Sequence, residues 1–444
     1  MSLALSSQTN KLPSIDYVEK LFDSIVSANG GFNIEGFWSA IDEMERILGI
    51  PYVRLDFGVP GLTPSDICLS KHSDALLKGD IPHHYPPYSG LPKLCCEVSV
   101  FIQNRLGIAC RGEDVFVTCG GTQALFTAQA IGAHLVENKH RILFLTPTYP
   151  PMMSQARFLG LQVDTLELDD LRGERLISKI HENFMQGDVA AICWASPNNP
   201  TWSVLDAYEL ENLAKLCRSY GVLPIEDLTY LGMSGAESNN DSIHFPSIAQ
   251  YSDEYFLVLS TSKMLSYAGE RIGFLIGSPA LLNRKSSNLE QAMSTGIVRR
   301  ACSSFIFNLT AGAPHSAQYG VAEAFAAINN GMTNLDQSLS VYSRRSEFLK
   351  SLLDQNGFYP VYDHEFNQNA NGFYVCFGYP GLSGLELLKR LLSIGVAVLP
   401  LTVFSSLRND GVRACVGRLD EQKINLLAKR LGRFSGEQNY AVGF

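Results

Sequence analysis

No stretch of this 444-residue chain carries the run of about 20 apolar residues that a bilayer-spanning helix needs. The opening MSLALSSQTNKLPS lacks the basic start and sustained apolar segment of a secretory signal. None of the ten cysteines falls into metal-type spacing; Cys95 and Cys96 are adjacent, and Cys193, Cys376 and Cys415 lie in apolar runs, where a thiol acts as a small hydrophobe. These features argue against a disulfide framework or a zinc site and point to a reducing cytoplasm, with a lone reactive thiol left open. Positive charge is scarce as well. With 35 basic residues against 44 acidic, the formal charge is −9, the wrong sign for nucleic acid or an anionic membrane as main partner.

There is no internal repeat and no low-complexity linker. Apolar content of 46% with 18% charged residues describes a soluble globular chain, long enough for two or three domains. Residues 1–53 read as an arm and two helical segments, DYVEKLFDSIV and FWSAIDEMERIL, joined by Gly30-Gly31. From Arg54 short apolar runs alternate with amphipathic stretches: VFVT from Val115, RILFLT from Arg141, VAAICWA from Val189, VLPIED from Val222, YFLVLS from Tyr255 and GFLIG from Gly273. Continuous apolar runs separated by helical segments read as buried parallel strands with crossover helices, an α/β fold over residues 54–330. Beyond Asn330 the pattern changes. A long helical segment, LDQSLSVYSRRSEFLKSLLDQ, precedes FYVCFGY, LELLKRLLSIG, VAVLPL, VRACVG and a last helix from Asp420, so residues 331–444 read as a smaller α+β domain. A ligand is expected in the cleft between the two.

Within STSKMLSYAGERIGFLIGS, Lys263 stands at the end of an apolar strand among hydroxyls, with Arg271 eight positions later. A neighbouring cation favours the neutral, nucleophilic amine that forms a Schiff base. Hydroxyls and a guanidinium suit a phosphate. A carbonyl and a phosphate on one ligand describe pyridoxal 5'-phosphate (PLP). Other strand ends carry compatible chemistry. Cys119-Gly120-Gly121-Thr122-Gln123 opens a helix and lets backbone amides approach a phosphate, although Gly-Gly-Thr alone can be only a tight turn; it is no dinucleotide fingerprint. Pro147-Thr-Tyr149-Pro150-Pro151 can hold a ring against a flat cofactor, or simply bury an aromatic. Asn199, between prolines, is a preset donor for a phenolic oxygen, though Asn-Pro turns are common. Asp227 ends an apolar strand, where a carboxylate is costly unless paired; a protonated pyridine nitrogen, a helix cap or an ion pair would each serve.

With these residues in this order, the chain from about Arg54 to about Arg430 resembles the aspartate aminotransferase family, the class I/II group of fold-type I PLP enzymes. The most specific piece is Ser260-x-Ser262-Lys263 with Arg271. The resemblance implies a mostly parallel seven-stranded sheet in the large domain and a ping-pong transfer of an amino group from an amino acid to a 2-oxo acid. By the same resemblance Lys263 would carry the cofactor and shuttle the proton, and Ser260, Ser262, Arg271, Gly120, Gly121 and Thr122 would hold its phosphate. Tyr149 would stack on the ring, Asn199 and Tyr230 would bond its oxygen, and Asp227 would pair with its nitrogen. Tyr85, in HHYPPYSG, would reach the phosphate of a neighbouring subunit, which implies a homodimer with shared sites. Arg413 would clamp the substrate carboxylate and Gly58 would line its pocket. The substrates would be small amino and 2-oxo acids, with no nucleic-acid or membrane partner and no metal.

Trp202 stands where the family has glycine, Leu228 where glutamate is frequent, and Leu401-Thr402 where Gly-Ser follows the proline. The substrate is therefore not carried over. Arg299 and Arg300 lie near the position of a dicarboxylate-specific relative's second, intersubunit arginine, but the residues favour a solvated basic pair on a helix, and Phe373 and Tyr374 suit either pocket or core. A lyase, cyclase, decarboxylase or oxidase would share every cofactor residue. A non-catalytic PLP-fold regulator fits less well, since no DNA-binding region is appended.

Overall fold

The computed structural model describes residues 12–28, 34–168, 171–233, 244–365 and 369–441. The apolar runs become strands: β1 (Val53–Arg54), β2 (Val115–Cys119), β3 (Arg141–Thr146), β4 (Gln162–Glu167), β5 (Val189–Ala195), β6 (Leu223–Asp227), β7 (Phe256–Ser260) and β8 (Ile272–Gly277). Seven of them form one sheet in the order β2-β8-β7-β6-β5-β3-β4. From β7 to β4 the neighbours are parallel, while β8 runs antiparallel to both β2 and β7. The reversal follows from chain length. Between Ser260 and Ile272 there is room only for the one-turn helix Thr261–Met264 and a short 3-10 turn, not for a crossover helix.

β4 has no counterpart among the apolar runs. It lies at the sheet edge beside β3 and none of its side chains is fully buried, so a hydrophobic run was never required of it. In the centre, β3, β5, β6, β7 and β8 are buried along their whole length.

The later residues build a second sheet. β9 (Tyr359–Pro360), β10 (Tyr374–Gly378), β12 (Leu399–Pro400) and β13 (Val412–Cys415) pair antiparallel in the order β12-β13-β10-β9. The run VAVLPL does not stay one strand: its first half, β11 (Val396–Ala397), leaves to pair in parallel with β1. Ahead of β1, Val18, Phe22 and Val26 recur every four residues and form the buried stripe of helix Ile15–Ala28, where Phe22 meets Phe37 of helix Ile34–Leu48 edge-on at 6.0 Å. The Gly30-Gly31 junction lies outside the described residues. The long helix occupies Leu335–Gln355, capped by the Asn334 side chain on the Gln337 amide. Among the described residues no helix is long and apolar enough to cross a membrane.

Phe144 lies in β3, inside the sheet and wholly buried. Phe144→Ala is expected to cost about 3–5 kcal/mol through lost transfer energy and an unfilled void, seen as a lower urea midpoint in equilibrium unfolding.

Candidate active site

The parallel strands end side by side. Ala195 of β5 is in register with Asp227 of β6, and Asp227 with Val258 of β7, two residues before Ser260. Over these carboxyl ends opens a cavity of about 290 Å³. Its lining includes Gly58, Gly121, Thr122, Tyr149, Asn199, Asp227, Tyr230, Ser260, Ser262, Lys263, Arg271 and Arg413, drawn from segments far apart in sequence.

At one end is an anion cradle. Helix Gly120–Ala133 follows β2 directly, and its cap residue Cys119 offers no side-chain hydrogen bond, so the first amides remain available. Gly120 has φ +75°, and a Cβ there would meet Arg271 Nη2 at 2.4 Å, so only glycine lets the guanidinium close over this turn. Arg271 Nη1 is fixed by the Ala268 carbonyl at 2.8 Å. Ser260 Oγ accepts from the Ser262 amide at 3.2 Å and donates to Ser262 Oγ at 3.0 Å, which places both hydroxyls on the cavity wall. Bare helix amides, hydroxyls and a guanidinium fit a phosphate.

Lys263 sits in the one-turn helix after β7, and its Nζ donates to the Gly58 carbonyl. Its pKa falls to about 8. Burial is the largest cause, and the charges of Arg413 and Arg271 add to it, whereas the sequence pointed to Arg271 alone. Asp227 is buried too, and burial raises its pKa to about 6 against the opposing bonds from the Thr229 hydroxyl (2.6 Å) and amide (3.0 Å), both to Oδ1. A buried carboxyl of this kind gains from a cationic partner in the cavity, as a protonated ring nitrogen would be.

Arg413 is only 4% exposed, and no carboxylate pairs with it among the described residues. Its guanidinium lies between the rings of Tyr374 and Phe404, 4.5 and 4.7 Å from their centroids. One nitrogen donates to Asn199 Oδ1 at 3.1 Å and another to the Asp56 carbonyl, while Nε has no partner. A buried cation with a free donor is suited to a ligand carboxylate. Tyr230 Oη is 2.8 Å from Tyr374 Oη, and a Cβ on Gly58 would come within 2.3 Å of that same Tyr374 oxygen.

Of the residues named from sequence, Tyr85 is not on the cavity wall of its own chain; it is 78% exposed. Gly120 lies just behind the wall, under Arg271. Arg299 turns away, bonding Asp114 Oδ1 at 2.9 Å and the Glu113 carbonyl, and Arg300 is exposed. Phe373 is core, whereas Tyr374 lines the cavity. Sequence reasoning missed Thr229, Ile34, Trp38, Phe57, Val59 and Phe404. A hydroxyl two residues after a strand-end aspartate was a usable sign for Thr229; the apolar lining carries no sign that separates it from core.

The family model described as aminotransferase class I and II matches residues 56–431. A probable aspartate aminotransferase of Methanocaldococcus jannaschii is 24% identical over 370 residues, 82% of this chain and 89% of that one. The aspartate/prephenate aminotransferase of Thermus thermophilus is 25% identical over 399 residues, 88% of this chain and 92% of its own length. A solved double mutant of Thermus thermophilus aspartate aminotransferase shares the fold, with a TM-score of 0.72 at 22% identity over 98% of this chain and 99% of that chain.

Gly120→Ala should displace Arg271 and weaken PLP retention at least tenfold, measured as the Kd for cofactor rebinding to the stripped protein, with the fold preserved. With its pKa lowered, Lys263 deprotonates early. Carbamylation of Lys263 by cyanate in the stripped protein should therefore rise through about pH 8, whereas exposed lysines respond only at higher pH; peptide mass spectrometry gives both rates.

Proposed function

Because this chain belongs to the class I and II aminotransferases and transfers amino groups with PLP, we propose that the cavity runs a ping-pong exchange between an amino acid and a 2-oxo acid, with Lys263 as its proton carrier. The observation that carries this reading is the buried Lys263 amine, its pKa near 8, sharing one cavity with Asp227 and the unpaired Arg413. The surroundings fit the cofactor. Among the described residues three cations and one carboxyl line the cavity, an excess that a phosphate and a substrate carboxylate would balance.

When bound, PLP supplies an electron sink for negative charge at the substrate Cα. Gly120, Gly121, Thr122, Ser260, Ser262 and Arg271 would hold its phosphate. Asp227, its Oδ1 steadied by Thr229, would pair with the ring nitrogen; Asn199 and Tyr230 would bond the ring oxygen, and Tyr149 would stack on the ring. Arg413 binds the α-carboxylate through Nε and its neighbouring nitrogen, with Asn199 and the Asp56 carbonyl fixing the plane of the guanidinium. Lys263 Nζ would be the base that takes the proton from the substrate Cα and holds it for return. Gly58 is the acceptor that holds Nζ near this path and permits Tyr374 to reach Tyr230.

We read the enzyme as a cytoplasmic homodimer in which the exposed Tyr85 reaches the partner's phosphate. We divide the chain into an N-terminal arm with its helices over residues 1–53, packing with the small domain, a PLP-binding domain over 54–330 and a small domain over 331–444.

Amino acids presented singly to the holoenzyme should each release at most one 2-oxo acid per site until a second 2-oxo acid is added. Sustained ammonia release without an acceptor would instead indicate lyase or oxidase chemistry. Lys263→Ala should lower turnover by at least ~10²–10⁴-fold and abolish borohydride fixation of the cofactor at this position; substantial residual transfer would overturn the assignment.

A further inference from the structure

We propose that the amino acid taken by this site has an apolar side chain, aromatic ones included, and that the stacked pair Trp38–Phe57 selects it; the inference rests on the aminotransferase reading of the cavity. Ile34 and Trp38 are four residues apart on helix Ile34–Leu48, so both project from one helical face, and both line the cavity. The Trp38 and Phe57 rings stack at 4.6 Å with an interplanar angle of 27°. Val59 and Phe57 flank Gly58, whose carbonyl holds the Lys263 amine, so this apolar wall begins where the substrate's reacting carbon must lie.

The wall is held from behind. The Arg54 guanidinium covers the Phe57 ring at 4.5 Å. Arg54 bonds Asp56 through two nitrogens, at 2.9 and 3.0 Å, and Asp42 of the Trp38 helix at 2.6 Å. It thus ties the helix to the segment that carries Phe57, and its charge is already matched by carboxylates. Among the described residues the cations on the cavity wall are Lys263, Arg271 and Arg413, which serve the proton path, the phosphate and the α-carboxylate. Arg299 is bound to Asp114. A side-chain carboxylate placed against Trp38 and Phe57 would lose water and gain no unmatched cation from the described residues of its own chain. The indole Nε1 of Trp38 is buried without a partner, and a single neutral N–H does not offset a desolvated charge. An apolar side chain gains from the same surface.

The test compares kcat/KM for the first half-reaction of the holoenzyme with phenylalanine, leucine, alanine, aspartate and glutamate. Phenylalanine or leucine should exceed aspartate and glutamate by at least roughly tenfold. Trp38→Ala should lower the phenylalanine-to-alanine ratio by at least roughly tenfold, and Ile34→Ala should lower the same ratio if Trp38→Ala fails to fold, as judged by cofactor loading. Preference for aspartate or glutamate would overturn this proposal and leave the aminotransferase reading standing. An unchanged ratio in folded variants would overturn the role of the stack. Failure of every amino acid to react would overturn both readings.

Discussion

The catalytic arrangement depends on the backbone of residues 55–58. Two carbonyls on this short stretch, those of Asp56 and Gly58, accept from Arg413 and Lys263, side chains that arrive from β13 and from the end of β7. The stretch is itself pinned. β1 pairs with β11, the Leu55 amide donates to Ala397 at 2.9 Å, and the Leu55 carbonyl accepts from Cys415 at 2.7 Å. Nothing larger than glycine fits at Gly58, because Tyr374 Oη occupies the space of a Cβ. A segment that resembles a connector thus sets the placement of the Lys263 amine relative to the Arg413 guanidinium, a pre-organised geometry.

The site is electrostatically unfavourable without its ligands. Lys263 and Arg413 are buried near one another, Asp227 is forced upward in pKa, and one Arg413 nitrogen is left without a partner. Groups buried without partners in this way lower stability. The central strands supply what offsets this: they are buried along their length, with the cavity over their carboxyl ends.

The departures from the family pattern are accommodated locally. Trp202 adopts φ +63°, the left-handed region where glycine is at no disadvantage and a bulky side chain costs about 1–2 kcal/mol. Its indole is fully buried, with the Tyr230 and Tyr374 rings edge-on at 5.5 and 6.2 Å, and it fills the space beside Gly372, where a Cβ would lie 1.9 Å from the ring. Leu228 is buried and Leu401 packs with Val361 and Cys376. These substitutions exchange polar or small residues for packing behind the cofactor residues.

The amino-acid sequence alone determined the α/β class, the central strands and which residues stand at the strand ends, because continuous apolar runs and the Ser260–Arg271 spacing are local patterns. RILFLT and VAAICWA became β3 and β5 without a change of boundary, and the helix over Leu335–Gln355 likewise. The edge strand β4 escaped notice because half-exposed residues need no apolar pattern, and the reversal of β8 depended on the length of a loop. Only the tertiary structure could decide that Trp38 and Ile34 reach the cavity, that Tyr374 meets Tyr230, and that Arg413 has no carboxylate partner among the described residues. An apolar residue looks the same in sequence whether it faces core or ligand, and a cation's partners come from segments that only folding brings together.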